Sequence, residues 1–110
     1  KAVTEAVVAL FGRWRLSPER QAALLDVGDI APYHLGEPLP DEPQVLERAG
    51  QLLAIERALR RYFPDDPGLR DEWMMLPNPL LGDVSPLAFM REQPEGPRRI
   101  RTLLEGGRVR

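Results

Sequence analysis

The chain has 110 residues, of which 43% are hydrophobic and 29% are charged, with a formal net charge of −2 at pH 7. These values are typical of one globular domain and argue against a strongly basic nucleic-acid binder, and the lack of cysteine excludes disulfide frameworks and thiolate metal sites. No apolar run approaches the roughly 20 residues that a membrane helix needs, and no signal peptide is visible, so we expect a cytoplasmic protein.

The charge is distributed unevenly along the chain. Residues 1–50 carry five basic and eight acidic side chains, a balance of −3, whereas residues 51–110 carry ten and nine, a balance of +1. The basic side chains of the second half are all arginines. Neither half has the basic excess that phosphate binding along a nucleic acid requires.

The N-terminal segment predicts two short helices. Apolar residues at Val3, Val7, Leu10 and Trp14 follow the helical spacing, and Ser17-Pro18-Glu19 combines an N-cap, a first-position proline and a first-turn acid that begin a second helix. Together they resemble the start of a helix-turn-helix. Residues 26–36 predict a poor third helix, because a proline lies inside the segment and glycines flank it.

The longest predicted helix begins at Asp41 or Glu42, with Pro43 in its first turn, and ends before residues 64–68. One apolar stripe runs along it, formed by Val45, Ala49, Leu52, Ile55, Leu59 and Tyr62 and broadened by Leu46, Leu53 and Phe63. Charged residues, Glu56 among them, occupy mainly the other faces. We therefore expect it to be the central helix of the fold, followed by a short helix capped by Asp66.

Residues 73–90 combine core residues with turn residues. Trp73, interpreted as a core anchor, precedes a turn at Pro77-Asn78-Pro79, in which Asn78 can bond its own backbone. Ser85-Pro86 then starts a helix, and after a linker of residues 92–97 a last helix ends at Gly106-Gly107. The sequence predicts an all-α compact helical domain, with a degenerate helix-turn-helix-like region at residues 1–43 and a second helical half at residues 44–110.

Residues 44–107 carry a motif that resembles a known family. The motif comprises Trp73, Pro77-Asn78, Leu81, Gly82, Ser85-Pro86-Leu87 and a final helix that ends in a glycine pair. In this combination the sequence resembles the C-terminal toxin-binding domain of Xre/MbcA/ParS antitoxins. Residues 1–43 resemble the Xre-like helix-turn-helix that usually precedes this domain, although residues 28–34 are shortened and lack arginine where that family has its recognition helix.

The resemblance implies an antitoxin of a type II toxin–antitoxin pair. Its partner would be a RES-domain toxin, a class that depletes cellular NAD. The two proteins would form a hetero-oligomer, and a homodimer of this chain stays open as a second assembly. In this family the C-terminal region lies against the entrance of the toxin's active site, which corresponds here to residues 98–110. The candidate toxin-binding residues are Leu80, Leu81, Arg98, Arg99, Arg101, Arg108 and Arg110, and the structural signature residues are Trp73, Pro77, Asn78, Gly82 and Pro86.

Two alternatives stay open. The N-terminal helices could bind operator DNA as a transcriptional autoregulator, or the chain could be a stand-alone adaptor without a toxin. We do not expect an enzyme, a cofactor or a metal site, because the sequence has no nucleophile–base pairing, phosphate loop or metal-ligand spacing, and His34 is the single histidine. The acidic pairs Asp65-Asp66 and Asp71-Glu72 lie at a turn or a helix start, where acids cap helices.

Overall fold

Seven α-helices and one 3₁₀ helix make up the computed structural model, which describes residues 2–93 and 95–107. The helices are α1 (Ala2–Arg13), α2 (Pro18–Leu25), α3 (Ala31–His34), α4 (Pro43–Tyr62), α5 (Pro67–Met75), the 3₁₀ helix (Pro79–Leu81), α6 (Pro86–Glu92) and α7 (Gly96–Glu105). Within these described ranges the β-structure is limited to an isolated bridge between Asn78 and Val84. The predicted all-α class is confirmed. None of the helices in the described part is both long and apolar enough to cross a membrane.

The described residues divide into two compact units, unit 1 up to Leu53 and unit 2 from Ala54 onward. The division falls inside α4, so that helix contributes residues to both units. In unit 1, α1 packs against α3. The core of unit 1 is formed by Val7, Leu10, Phe11, Trp14, Ala22, Leu24, Leu25, Ile30, Val45, Ala49 and Leu52.

The predicted helix starts of unit 1 are confirmed. The Ser17 hydroxyl accepts the N–H of Arg20 at 3.3 Å, and Pro18 is the first residue of α2. The predicted poor third helix is α3, which makes a single turn because its proline can stand only at the helix start. His34, at the end of α3, places Nε2 2.8 Å from Oε1 of Gln21. The histidine therefore has a structural partner.

The apolar stripe of α4 is confirmed at five of its six positions, since Val45, Ala49, Leu52, Ile55 and Leu59 are buried. Besides the sixth position, Tyr62, two predictions for this helix are wrong. Leu46 is exposed, because it lies about 100° around the helix from the buried side chain of the preceding residue. Glu56, expected on a polar face, is buried and accepts a hydrogen bond from Nε of Arg60 at 2.8 Å.

Unit 2 is organised by helix caps and by packing around α6. The Asp66 carboxylate accepts the N–H of Leu69 at 3.1 Å at the start of α5, and the Ser85 hydroxyl accepts the N–H of Ala88 at 3.1 Å at the start of α6. Helix α6 packs against both α5 and α7. The core consists of Ala54, Ile55, Ala58, Leu59, Met74, Leu81, Met90, Ile100, Leu103 and Leu104.

Candidate functional site

The turn between α5 and α6 is organised by Asn78. Its side-chain Oδ1 accepts the N–H of Leu80 at 2.9 Å, its backbone N–H donates to the carbonyl of Val84 at 3.0 Å, and its carbonyl accepts the N–H groups of Leu81 and Asp83. The side chain is only 5% exposed. The bond from the N–H of Leu80 to Oδ1 confirms the predicted Asx-type bond, and the three backbone hydrogen bonds of Asn78 fix the corner together with it.

The other signature residues lie on α5, in the turn that follows it and at the start of α6. Trp73 lies on α5 and is half-buried, Pro77 is exposed, and Pro86 is buried as the first residue of α6. Gly82 ends the 3₁₀ helix with φ of +72°, in the left-handed region that favours glycine. The corner therefore connects α5 to α6 by turns that these residue types are suited to make.

The two leucines predicted as partner contacts differ in accessibility. Leu81 is 6% exposed and belongs to the core, whereas Leu80 is half-buried. A partner can therefore reach only part of Leu80 while this corner keeps its conformation.

Helix α7 has one buried face and one exposed polar face. Ile100, Leu103 and Leu104 are buried, and the opposite face carries Glu95, Arg98, Arg99, Thr102 and Glu105, all exposed. This arrangement presents arginine side chains to the solvent at successive positions of a helix whose other face is anchored in unit 2. Arg108 and Arg110, also predicted as toxin contacts, lie outside the described residues.

The arginines of α7 are engaged to different extents. Nε of Arg101 donates to Oε2 of Glu105 at 2.9 Å, one helical turn away. The side chain of Arg99 forms no hydrogen bond or ion pair with any residue that the structure describes. None of its guanidinium donors is therefore used by the described residues, whereas a partner carboxylate at Arg101 would compete with Glu105.

The C-terminal end of α7 is held by a residue that the sequence interpretation assigned to the core stripe. The Tyr62 hydroxyl donates to the backbone carbonyl of Leu104 at 2.8 Å, and the side chain is 36% exposed. The prediction that Tyr62 belongs to the buried stripe is wrong, because the ring lies at the surface where its hydroxyl reaches the helix end. The one feature of the sequence that could have indicated this contact is the tyrosine hydroxyl, which usually forms a hydrogen bond in folded proteins.

Helix α5 exposes apolar side chains that the sequence interpretation did not single out. Leu69 on α5 and Leu76, the residue that follows its last turn, are 43% and 53% exposed, and together with half-buried Trp73 they follow the i, i+4, i+7 spacing of one helix face. Met75 is exposed beside them. Contiguous exposed apolar side chains of this kind are common on protein-binding surfaces.

Unit 2 exposes side-chain types that are common in contacts between proteins. Within the described residues, no group of three or more histidine, cysteine, aspartate or glutamate side chains could hold a metal ion. Unit 2 carries exposed arginines on α7, whose apolar face is buried, and exposed apolar side chains along α5. Guanidinium groups and apolar anchors are characteristic of contacts with another protein.

Comparison with known proteins gives one family match. Residues 58–108 match the family model described as the antitoxin Xre/MbcA/ParS C-terminal toxin-binding domain, and no curated protein matches the chain. The matched residues contain the last turn of α4, the whole of α5, α6 and α7, and all five signature residues. The predicted resemblance to this toxin-binding domain is confirmed for residues 58–108.

Proposed function

Because residues 58–108 belong to the Xre/MbcA/ParS family of antitoxin C-terminal toxin-binding domains, we propose that this protein is the antitoxin of a type II pair whose toxin is a RES-domain enzyme that depletes NAD. The antitoxin role and a toxin partner follow from the family, and the family match is the observation that carries the proposal. The toxin class and the mode of inhibition go beyond the family match and are the finer part of the proposal. We propose that the chain occludes the toxin's active site with the exposed face of α7 and with residues 108–110.

The geometry of α7 supports this mode of binding. Its apolar face anchors it in unit 2, so the polar face is presented by a rigid helix. Pre-organised contact residues bind with a smaller loss of conformational entropy than residues on a mobile segment. The arginines of this face would pair with acidic groups at the entrance of the toxin pocket, since a guanidinium fork matches a carboxylate.

The assembly that we propose is a hetero-oligomer with the toxin in the cytoplasm. Unit 1 supplies no specific argument for a second function. Helix α3 contains only four residues, Ala31–His34, which is short for a recognition helix lying in a major groove. We therefore propose neutralisation of a toxin and not DNA binding.

The proposal is tested by co-expression with the RES-domain toxin encoded by the adjacent reading frame. The protein should co-purify with that toxin and should restore growth of cells that express it. If the toxin is neither retained by the protein nor counteracted in cells, the proposed function is wrong.

Charge reversal at Arg99 is expected to weaken toxin binding by about tenfold, as is usual for loss of one charge-assisted contact and introduction of repulsion. Arg99 is the appropriate residue because its guanidinium is engaged by no other described side chain. The Arg99→Glu chain and the wild type should be compared by titration calorimetry with the purified toxin at two salt concentrations.

Arg20→Glu provides the matched control. It makes the same change of charge on an exposed residue of α2, outside the family match, at a helix start where an acid is tolerated. This control should bind the toxin as tightly as the wild type does. Equal weakening by both variants would mean that net charge, and not the face of α7, determines the affinity.

Deletion of Arg108–Arg110 is expected to reduce neutralisation while leaving the helical content unchanged. Helix α7 ends at Glu105, so the deletion removes none of its residues. Inhibition curves should be measured against the toxin, with circular dichroism as the check on folding. An unaltered inhibition curve would show that these three residues are dispensable.

A further inference from the structure

Helix α5 carries a buried arginine, Arg70, whose side chain has no partner among the described residues. The residue is 8% exposed, and its Nε is buried without a hydrogen-bond partner. The side chain forms no hydrogen bond or ion pair with any residue that the structure describes. Arg70 is therefore a cation that is largely removed from water without a protein anion beside it.

An unpaired buried charge is unfavourable for the free protein, because the guanidinium loses hydration and gains no anion in exchange. Arginine is for this reason rarely buried unless it is paired. The packing of α5 does not require a charge on this side, since Met74, one turn further along, is fully buried as an apolar residue. The unpaired arginine thus indicates a position whose anion comes from another molecule.

The exposed apolar face of α5 lies beside Arg70. Around the helix axis, half-buried Trp73 lies between the exposed leucines, Leu69 and Leu76, and the buried side of the helix. Arg70 comes next, about 60° beyond Trp73. A partner that covers the two leucines therefore also reaches Trp73, next to the recessed guanidinium. Tryptophan and arginine are enriched among the residues that contribute most to binding at the centre of protein interfaces.

We propose that Arg70 anchors a second toxin contact, in which a carboxylate of the toxin pairs with its guanidinium while apolar side chains of the toxin cover Leu69, Trp73 and Leu76. The inference rests on the proposed function, because the toxin is the occupant. Two observations favour this occupant. Helix α5 lies entirely within residues 58–108, which match a toxin-binding domain, and the charge that Arg70 lacks is negative, which an aspartate or glutamate supplies in bidentate geometry.

Arg70→Met removes the charge and keeps an unbranched side chain that fills the buried position. Because the lost charge is buried and unpaired, we expect the free variant to be at least as stable as the wild type, with an equal or higher Tm. Its dissociation constant for the RES-domain toxin encoded beside this chain should rise about tenfold or more, since the toxin carboxylate is then left unpaired in the interface. An arginine with a purely structural role would lose stability and affinity together.

Arg57→Met is the matched control for charge. It removes the same charge from an exposed position of α4 in unit 2, one residue outside the family match. Leu76→Ser tests the apolar part of the contact, and Leu35→Ser is its control, at a leucine that follows α3 in unit 1 and is 84% exposed. We expect Leu76→Ser to weaken toxin binding about fivefold and both controls to bind as the wild type does.

The Nε–H resonance of Arg70 in NMR spectra gives a readout that a structural role would not change. It is identified by its absence from spectra of Arg70→Met. When the toxin binds the wild type, this resonance should shift and its proton should exchange more slowly with water, because the guanidinium gains a carboxylate partner.

The outcomes separate the inference from the proposed function. Wild-type affinity of Arg70→Met, a loss no larger than that of Arg57→Met, or a Tm several degrees below that of the wild type would overturn the inference and leave the proposed function standing. Sedimentation of the free proteins tests the other occupant: if Arg70→Met and Leu76→Ser reduce self-association and leave toxin affinity unchanged, the surface binds a second copy of this chain and the inference is wrong. Failure of the wild-type chain itself to bind the toxin would overturn both.

Discussion

Gly96→Ala is expected to destabilise unit 2 by about 3 kcal/mol, at the upper end of the usual cost of overpacking. A Cβ at Gly96 would lie 2.4 Å from Cα of Met90 and 3.1 Å from both N of Met90 and O of Phe89. These are backbone atoms of α6, so no side-chain rotation can relieve the overlap. The first turn of α7 must move away from α6, and the buried face of α7 then loses part of its packing.

The matched control is Gly50→Ala in α4. A Cβ at Gly50 meets nothing within 4 Å, and the residue lies inside a helix, where alanine is favoured over glycine by about 0.5–1 kcal/mol. Thermal unfolding followed by circular dichroism should therefore show a lower Tm for Gly96→Ala and an unchanged or higher Tm for Gly50→Ala. If Gly96→Ala were as stable as the wild type, Gly96 would not lie against the backbone of α6 as described.

The same substitution has a consequence for function. Because α7 presents the arginines, its displacement should weaken toxin binding even under conditions in which Gly96→Ala remains folded. The dissociation constant of Gly96→Ala should therefore be measured well below its Tm. Wild-type affinity in a folded but destabilised Gly96→Ala chain would argue that the toxin contacts a surface other than α7.

Asn78→Ala is the second substitution with a large expected effect, about 2 kcal/mol. It removes the acceptor for the N–H of Leu80, which is partly buried and would be left without a partner. The cost should exceed that of an exposed cap, where water replaces the lost acceptor. Chemical denaturation would show the change as a lower midpoint with an unchanged dependence on denaturant.

Asp66→Ala provides the comparison, because Asp66 makes the equivalent bond to the N–H of Leu69 at the exposed start of α5. We expect this control to cost about 0.5–1 kcal/mol, less than half the effect of Asn78→Ala. Equal costs for the two variants would contradict the view that burial of Asn78 gives the corner its rigidity.

The local structure of this chain could be predicted well wherever one residue determines it. Ser17, Asp66 and Ser85 each precede a proline and each caps the helix that follows, as expected from short-range hydrogen bonding alone. Asn78 also bonds to its own turn as predicted. In these cases the donor, the acceptor and the chain geometry lie within three residues of one another.

The predictions that were wrong depend on contacts between distant parts of the chain. Periodicity placed Tyr62 in the buried stripe and Glu56 on a polar face, yet the structure exposes part of the tyrosine and buries the glutamate. The reason for Tyr62 lies at Leu104, in a helix that the sequence gives no means of placing. The contact between Gly96 and α6 is of the same kind, since glycine is compatible with many environments.

The candidate site was predictable only in part. The sequence indicated arginines on a last helix, but not that Arg101 pairs with Glu105 while the guanidinium of Arg99 has no partner among the described residues. It also did not separate Leu80 from the buried Leu81. Side-chain pairing and burial are properties of the folded unit, and they decide which of several similar residues a partner can reach.

We propose that this protein neutralises a RES-domain toxin by occluding its active site. The most direct test is to measure NAD consumption by the purified toxin encoded beside this chain while the wild-type protein is added in increasing amounts. We predict that NAD consumption falls to the background rate once the protein is in molar excess, and that the Arg99→Glu chain requires a higher concentration. If NAD consumption is undiminished at saturating protein, the protein does not neutralise this toxin by blocking its active site.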